Sequence, residues 1–265
     1  MKLGFTTMAT PELTGVEAIR VATKYHYESV SIRLYNSNGE VKSHSTPAHV
    51  LQIRDAYISE NIIPGALMCY NPRLTADDKS KEALRDYMRF SLEMASLIGA
   101  KNIRLFGDVY SPLNFAEIAA NSIQEFDNKI GIIIQNHKGW ADDSGVLEII
   151  SHANSPHIGL LFSPDHCKPH EVIAVCKQVK PFIKEVYVAN KLPQKAGEDK
   201  AKHALIDQGV FDWNAIYNEL NLSHFDGIVS VKWEKVHNPE LADYSVVLPY
   251  AKNWFDKKHL KDKSK

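Results

Sequence analysis

Ile132-Ile133-Ile134-Gln135-Asn136-His137 is a run of β-branched residues closed by three polar side chains. β-Branched residues pack well in strands, and a strand apolar on both faces is one covered on both faces. Side chains alternate along a strand, so Gln135 and His137 should point the same way. Around this run, short apolar stretches alternate with longer helical patterns, the βαβ signature of a parallel sheet. The eight candidate strands are Lys2–Thr6, Ser29–Leu34, Ile62–Tyr70, Asn102–Phe106, Lys129–Asn136, Ile158–Phe162, Glu185–Ala189 and Gly227–Trp233. Eight parallel strands close into a barrel. The expected fold is therefore α/β, a single (β/α)8 TIM barrel over residues 1–256 with a basic tail at 257–265.

Helical periodicity falls between the strands. Pro11 to Tyr25 carries Val16, Ile19, Val21 and Ala22. Ser80 to Ile98 sets Leu84, Tyr87, Met88, Leu92, Ala95 and Ile98 on one face, with Gly99 as its stop. Ser144 to His152, His170 to Val179 and Trp213 to Leu220 are the remaining helices read from periodicity. The stretch from Lys191 to Gly209 is long and polar, which suits an active-site loop or lid.

The length of 265 residues fits one barrel, and the 44% hydrophobic content supplies a sizeable core. A formal net charge of -1 argues against nucleic-acid or membrane partners held by bulk charge. The lysine-rich ending from Lys257 reads as a frayed, solvated tail. Cys69, Cys167 and Cys176 cannot all pair and show no CxxC spacing, so reduced thiols in a cytoplasmic protein are expected. Cys69 and Cys167 fall near strand ends, where a reactive thiol is conceivable, although packing is the ordinary reason for such residues. Neither a signal peptide nor a membrane-spanning run is legible.

Five phrases, in order, resemble the xylose isomerase-like sugar phosphate isomerase/epimerase barrels. Leu97 to Gly107 resembles that family's fourth helix–strand junction, and Ile130 to Gly139 its fifth strand and loop, which usually ends Glu-Asn-His. Gly159-Leu160-Leu161-Phe162-Ser163-Pro164-Asp165-His166 resembles the sixth strand, usually closing on Phe-Asp-Pro-Gly-His. Val186-Tyr187-Val188-Ala189-Asn190 resembles the seventh, usually Val-His-Val-Lys-Asp. Phe225 to Glu234 resembles the eighth, usually ending in a metal-binding Glu. The family's metal ligands are Glu, Asp, His and Glu; carried across, they fall on Gln135, Ser163, Tyr187 and Lys232. Hard divalent cations need anionic oxygens, and softer ions imidazole or thiolate. Three neutral groups and an amine are a poor set, so no metal and no other cofactor is expected. A rival set of His137, Asp165, His166 and Glu234 sits on wrong or adjacent positions of the pleat.

Barrel active sites lie at the C-terminal strand ends. There the chain offers Lys232, His137 and Glu234 as candidate catalytic residues. Gln135, His166, Asp165, Tyr187, Asn190, Arg33 and Tyr70 are candidate substrate contacts. Lys232 would replace the lost metal as a fixed positive charge, form a Schiff base, or simply pair with Glu234 or Asp165 in a plugged site. Histidine ordinarily titrates near neutral pH, so His137 and His166 suit proton transfer, though a lone loop histidine is more often structural. Asp108 belongs to the same mouth, and Gly107-Asp108 and Gly139-Trp140 are weak candidates for holding a phosphate. The resemblance implies a sugar isomerase or epimerase acting on a small sugar, keto-sugar, polyol or sugar acid. The competing expectation is a non-catalytic descendant that binds a carbohydrate or a protein partner. Barrels of this type often pair, which leaves a homodimer open.

Overall fold

The computed structural model describes residues 1–107, 111–137, 144–194, 201–222 and 224–263. Asp108, Gly139-Trp140 and the middle of the expected lid lie outside the described residues. The sheet is the expected barrel. β1 (Lys2–Thr6) pairs in parallel with β2 (Ser29–Ser31), which β3 (Arg33–Leu34) continues. Next come β4 (Ile63–Pro64) and its continuation β5 (Leu67–Cys69), then β6 (Asn102–Phe106) and β7 (Gly131–Gln135). β8 (Ile158–Phe162), β9 (Ile183–Val188) and β12 (Ile228–Val231) follow, and β12 returns to β1. The short antiparallel ribbon of β10 (Asn190–Lys191) and β11 (His203–Ala204) is inserted after β9, at the start of the expected lid.

The second and third strands are each expected to be continuous, and each is broken. Ser29 pairs with Ile63 and Val30 with Pro64, but Arg33 pairs with Met68, so one extra residue sits on the third strand. That is a β-bulge. Pro64 has no N–H for the ladder. The Ala66 N–H turns into the lumen and donates to Glu185 Oε1 at 3.0 Å. Glycine is favoured at position 65, because a Cβ would lie 2.2 Å from Ser31 Oγ.

The helices cover the outside. α1 (Gly15–Lys24) starts later than periodicity alone suggests, because Thr14 and Glu17 form a capping box. α3 (Asp78–Ile98) is capped by the Asp77 side chain and stops at Gly99, which has φ +86°. α5 (Ser144–Ala153), α6 (Val172–Val179) and α7 (Trp213–Leu222) match the remaining expected helices within a few residues. Three more helices were not read from periodicity: α2 (Pro47–Ser59), α4 (Pro112–Glu125) and α8 (Tyr244–Lys263). The basic ending expected to fray is thus helical as far as Lys263.

Alternation along the strands builds two apolar layers. Ile132, Ile134, Val186, Val188, Val231 and Trp233 pack outward against the helices. Met8, Ala66, Met68, Ile133, Leu161 and Tyr187 form a separate cluster that fills the lumen. Above that plug, at the C-terminal ends of the strands, lies the cavity.

Candidate functional site

A cavity of about 1320 Å³ opens over the lumen. Gln135 reaches it from the end of β7, with His137 two residues on along the same face. Asn136 points the other way and pins the neighbouring strand end. Its Nδ2 donates to the Ser163 carbonyl at 3.0 Å, and its Oδ1 accepts the Ser163 N–H at 2.7 Å. This clasp fixes the 3-10 turn Pro164–His166, which delivers Asp165 and His166 to the cavity wall. Lys232 and Glu234 rise from the end of β12, and the Lys232 N–H donates to the Val188 carbonyl at 2.8 Å.

Lys232 is 2% exposed and lies at the centre of a charge network. Its Nζ donates to Asp165 Oδ2 at 2.8 Å and lies 3.3 Å from Glu234 Oε1. Ser163 Oγ donates to Asp165 Oδ1 at 2.5 Å. Lys191 Nζ, on β10, donates to the Asp165 carbonyl at 2.7 Å and lies 3.6 Å from its Oδ2. His203 Nε2, on β11, lies 3.4 Å from Glu234 Oε2. The inserted ribbon therefore supplies two members of the network.

These contacts set the protonation states. Burial alone would raise the Asp165 carboxyl, but Lys232, His166 and Lys191 hold it well below the ordinary carboxylate range. Burial alone would pull the Lys232 ammonium down, but Asp165 and Glu234 push it above the usual lysine value. Glu234 is likewise held low by Lys232 and His203 against its burial. Lys232 is thus a stable ammonium, which disfavours the Schiff-base reading, since that nucleophile must first lose its proton. His166 goes the other way: burial, helped by Lys232 and His137, lowers it to about 4 against the pull of Asp165. It is neutral at physiological pH. The His137 ring stands 4.8 Å from those of both His166 and Phe106.

Of the expected site residues, Gln135, His137, Asp165, His166, Lys232, Glu234 and Tyr70 line the cavity. Three do not. Arg33 is buried against Glu40, with Nη2 to Oε1 at 2.6 Å, so its charge is already matched. Asn190 donates to the Ile206 and Phe211 carbonyls and accepts from the Lys191 and Phe211 N–H groups. Its amide ties the inserted ribbon to the following loop. Tyr187 sits in the lumen plug below the cavity, where burial pushes its phenol up to about 12 against the nearby Arg104 cation. Cys69, one of the thiols considered for reactivity, is pushed up to about 12 by burial, which disfavours the thiolate that a reactive cysteine needs. Arg104 and His203 line the cavity without having been expected there. Arg104 was legible in principle: period two from Phe106 aims it inward, and an arginine within a buried strand is rare.

The positions onto which the resemblance carries the family's metal ligands, Gln135, Ser163, Tyr187 and Lys232, hold residues of different chemistry. Ser163 Oγ lies 3.5 Å from Lys232 Nζ, with Gln135 on the same cavity floor and Tyr187 below. An ammonium stands among them, and its two carboxylate neighbours are engaged by it. Among the described residues, no group of three or more His, Cys, Asp or Glu side chains converges as metal ligands would. The donor set does not fit a divalent cation.

Comparison with known proteins agrees with the fold. A family model described as xylose isomerase-like TIM barrel matches residues 19–249. The probable 3-DHS dehydratase AsbF of Bacillus anthracis superposes with a TM-score of 0.73 at 11% identity, covering 97% of this chain and 99% of that one. D-psicose 3-epimerase from Clostridium cellulolyticum H10, solved with D-tagatose, gives 0.73 at 10% identity, covering 98% and 99%. IOLI protein, solved with a bound zinc atom, gives 0.70 at 17% identity, covering 97% of each chain. The comparison with curated proteins gives no match. No helix among the described residues is long and apolar enough to cross a membrane.

Proposed function

Because this chain belongs to the xylose isomerase-like TIM-barrel family, we propose that it is a sugar isomerase- or epimerase-like enzyme that moves a proton beside a carbonyl without a bound metal. The substrate is a small hydroxylated carbonyl compound, and the site of action is the cytoplasm. The observation that carries this is the Lys232 ammonium lining the cavity, 2.8 Å from Asp165, at a position that the sequence resemblance matches to a metal ligand of the family.

The chemistry follows from that charge. A base takes the proton from the carbon beside the carbonyl, the C–H electron pair forms a C–C double bond, and the carbonyl π pair moves onto oxygen. The resulting oxyanion is held by the Lys232 N–H groups in a partly dry site. Returning the proton to the former carbonyl carbon isomerises, once the hydroxyl proton on the adjacent carbon has passed to the oxyanion and left a carbonyl there; returning the proton to the opposite face of the original carbon epimerises. His137 is the better base. Glu234, held low by Lys232 and His203, has too little proton affinity and acts as a counter-ion. Neutral His166, beside His137, relays the proton. Gln135 and Tyr70 hold hydroxyl groups and a ring face.

One observation favours the rival reading. Lys232 is shared by two carboxylates, which blunts the charge available to an oxyanion. A binding protein with a locked site would look the same. Deuterium wash-in distinguishes them. Chelator-treated protein is incubated in D2O with ketohexoses and keto-acid sugars, and carbon-bound deuterium is read by NMR. Exchange that survives the chelator and falls at least about a hundredfold in His137→Ala is expected. Exchange that vanishes with chelator and returns with a divalent ion would refute the metal-free mechanism; no exchange with any compound supports the binding protein.

A further inference from the structure

The protein has two deeply buried arginines with opposite circumstances. Arg33 is 2% exposed and has Glu40 Oε1 at 2.6 Å. Arg104 is 1% exposed, and among the described residues no carboxylate lies within ion-pair distance of it. Its Nη1 donates to the Cys69 carbonyl at 3.0 Å, and its Nε–H has no acceptor. The Tyr187 hydroxyl beside it makes no hydrogen bond of good geometry either. What surrounds the guanidinium is aromatic: the Phe106 ring centre is 4.2 Å from Cζ and the Tyr70 ring centre 5.0 Å. Cation–π contact offsets only part of the cost of burying a charge. The other cavity cations placed in ion pairs, Lys232 and Lys191, both have Asp165 within reach.

Arg104 lines the same cavity as Lys232 and His137. A desolvated guanidinium with an orphaned N–H, held on a rigid strand and open to a cavity, is a site prepared for an anion. We infer that Arg104 receives a carboxylate, and that the ligand is a sugar acid or other small hydroxylated carboxylate rather than a neutral sugar. This rests on the proposal that the cavity is the substrate site. A carboxylate matches the planar fork of one guanidinium through two parallel N–H contacts. A phosphate dianion fits worse, since Asp165 and Glu234 are both ionised in the same cavity and, among the described residues, no second guanidinium lines it. Tyr70 and Phe106 flank the bound group and keep water from it.

The test is calorimetric titration of the full-length protein with D-gluconate and D-glucuronate, against D-glucitol, D-glucose and D-glucose 6-phosphate. The carboxylates are expected to bind at least about tenfold more tightly than their neutral counterparts. Arg104→Gln should erase that preference, and Arg104→Lys should keep part of it by retaining charge without the fork. Should Arg104→Gln not fold, Arg104→Lys carries the comparison. Equal binding of acid and neutral sugar, tighter binding of the phosphate ester, an unchanged preference in both variants, or no binding of any compound would overturn the inference. Titration reads binding without turnover. Arg104-dependent carboxylate binding without deuterium exchange therefore upholds the inference while removing the isomerase, and exchange on neutral ketoses alone does the reverse.

Discussion

Glu185 is a carboxyl placed where water cannot reach it. It is 2% exposed, accepts one N–H from Ala66, and has an Oε2 without a partner. Burial raises it to about 8. The folded state therefore holds a proton that the unfolded chain releases above its ordinary value near 4.5. Its contribution to stability is fully present at low pH and is lost as pH rises from there through about 8. Glu185→Gln keeps an acceptor for the Ala66 N–H and removes the titration. The variant should gain about 3 kcal/mol relative to wild type between pH 5 and pH 8, read from urea unfolding at the two values. An equal difference at both pH values would mean that the carboxyl is ionised in the fold. Single residues of this kind are hard to read from sequence. Alternation aims Glu185 and Tyr187 inward together, but only the closed lumen reveals that one finds no counter-charge. The same holds for Arg33 and Asn190. Both sit at strand ends, as site residues do, yet neighbours from their own loops engage them: Glu40 for the first, and Ile206 and Phe211 for the second.

Among the elements, the bulge between β4 and β5 shapes the lumen most. It turns Ala66 inward and brings Gly65 against the second strand. A methyl group at position 65 meets Ser31 Oγ at 2.2 Å and Ser29 Oγ at 3.2 Å. Gly65→Ala should cost about 2 kcal/mol, and Ser31→Ala in the same chain should recover much of it, as measured by a double-mutant cycle in urea. Additive losses would place the strain in the backbone instead. The strands themselves were legible because their apolar runs are short and bounded; the break at Pro64-Gly65 was written in the sequence but overruled by the surrounding hydrophobic run. Helices were read from apolar periodicity, and three escaped it. Two of these announce themselves differently, through Thr46-Pro47 and Ser111-Pro112, where the hydroxyl side chain caps the helix and proline takes its first turn. The third, α8, begins beyond the last strand, and its lysine-rich end hides its helical character.

At the scale of the whole molecule, one charge network gathers at the cavity end of the barrel. Asp165, Glu234, Lys232, Lys191 and His203 come from four different elements and meet only when the barrel closes and the β10–β11 ribbon folds over it. The fold was legible because βα alternation repeats eight times. The resemblance implies that Gln135 and Lys232 stand at positions where the family usually carries carboxylates, an expectation that rests on the strand-end phrases alone. Pairing of Lys232 with Asp165 or Glu234 was legible; the contacts of Lys191 and His203 were not, because those residues arrive on the β10–β11 ribbon, at positions outside those phrases. At the centre of the network is the Lys232 ammonium, at a position that the resemblance matches to a metal ligand of the family, and we propose that it stands in for the cation. The most direct measurement is titration of chelator-treated, full-length protein with Mn2+ and Zn2+ by calorimetry, alongside elemental analysis of the untreated protein. An ammonium held between Asp165 and Glu234 predicts no stoichiometric site in the cavity, in wild type or in Gln135→Ala. One tightly held ion per chain, lost on substituting Asp165 or Glu234, would contradict it.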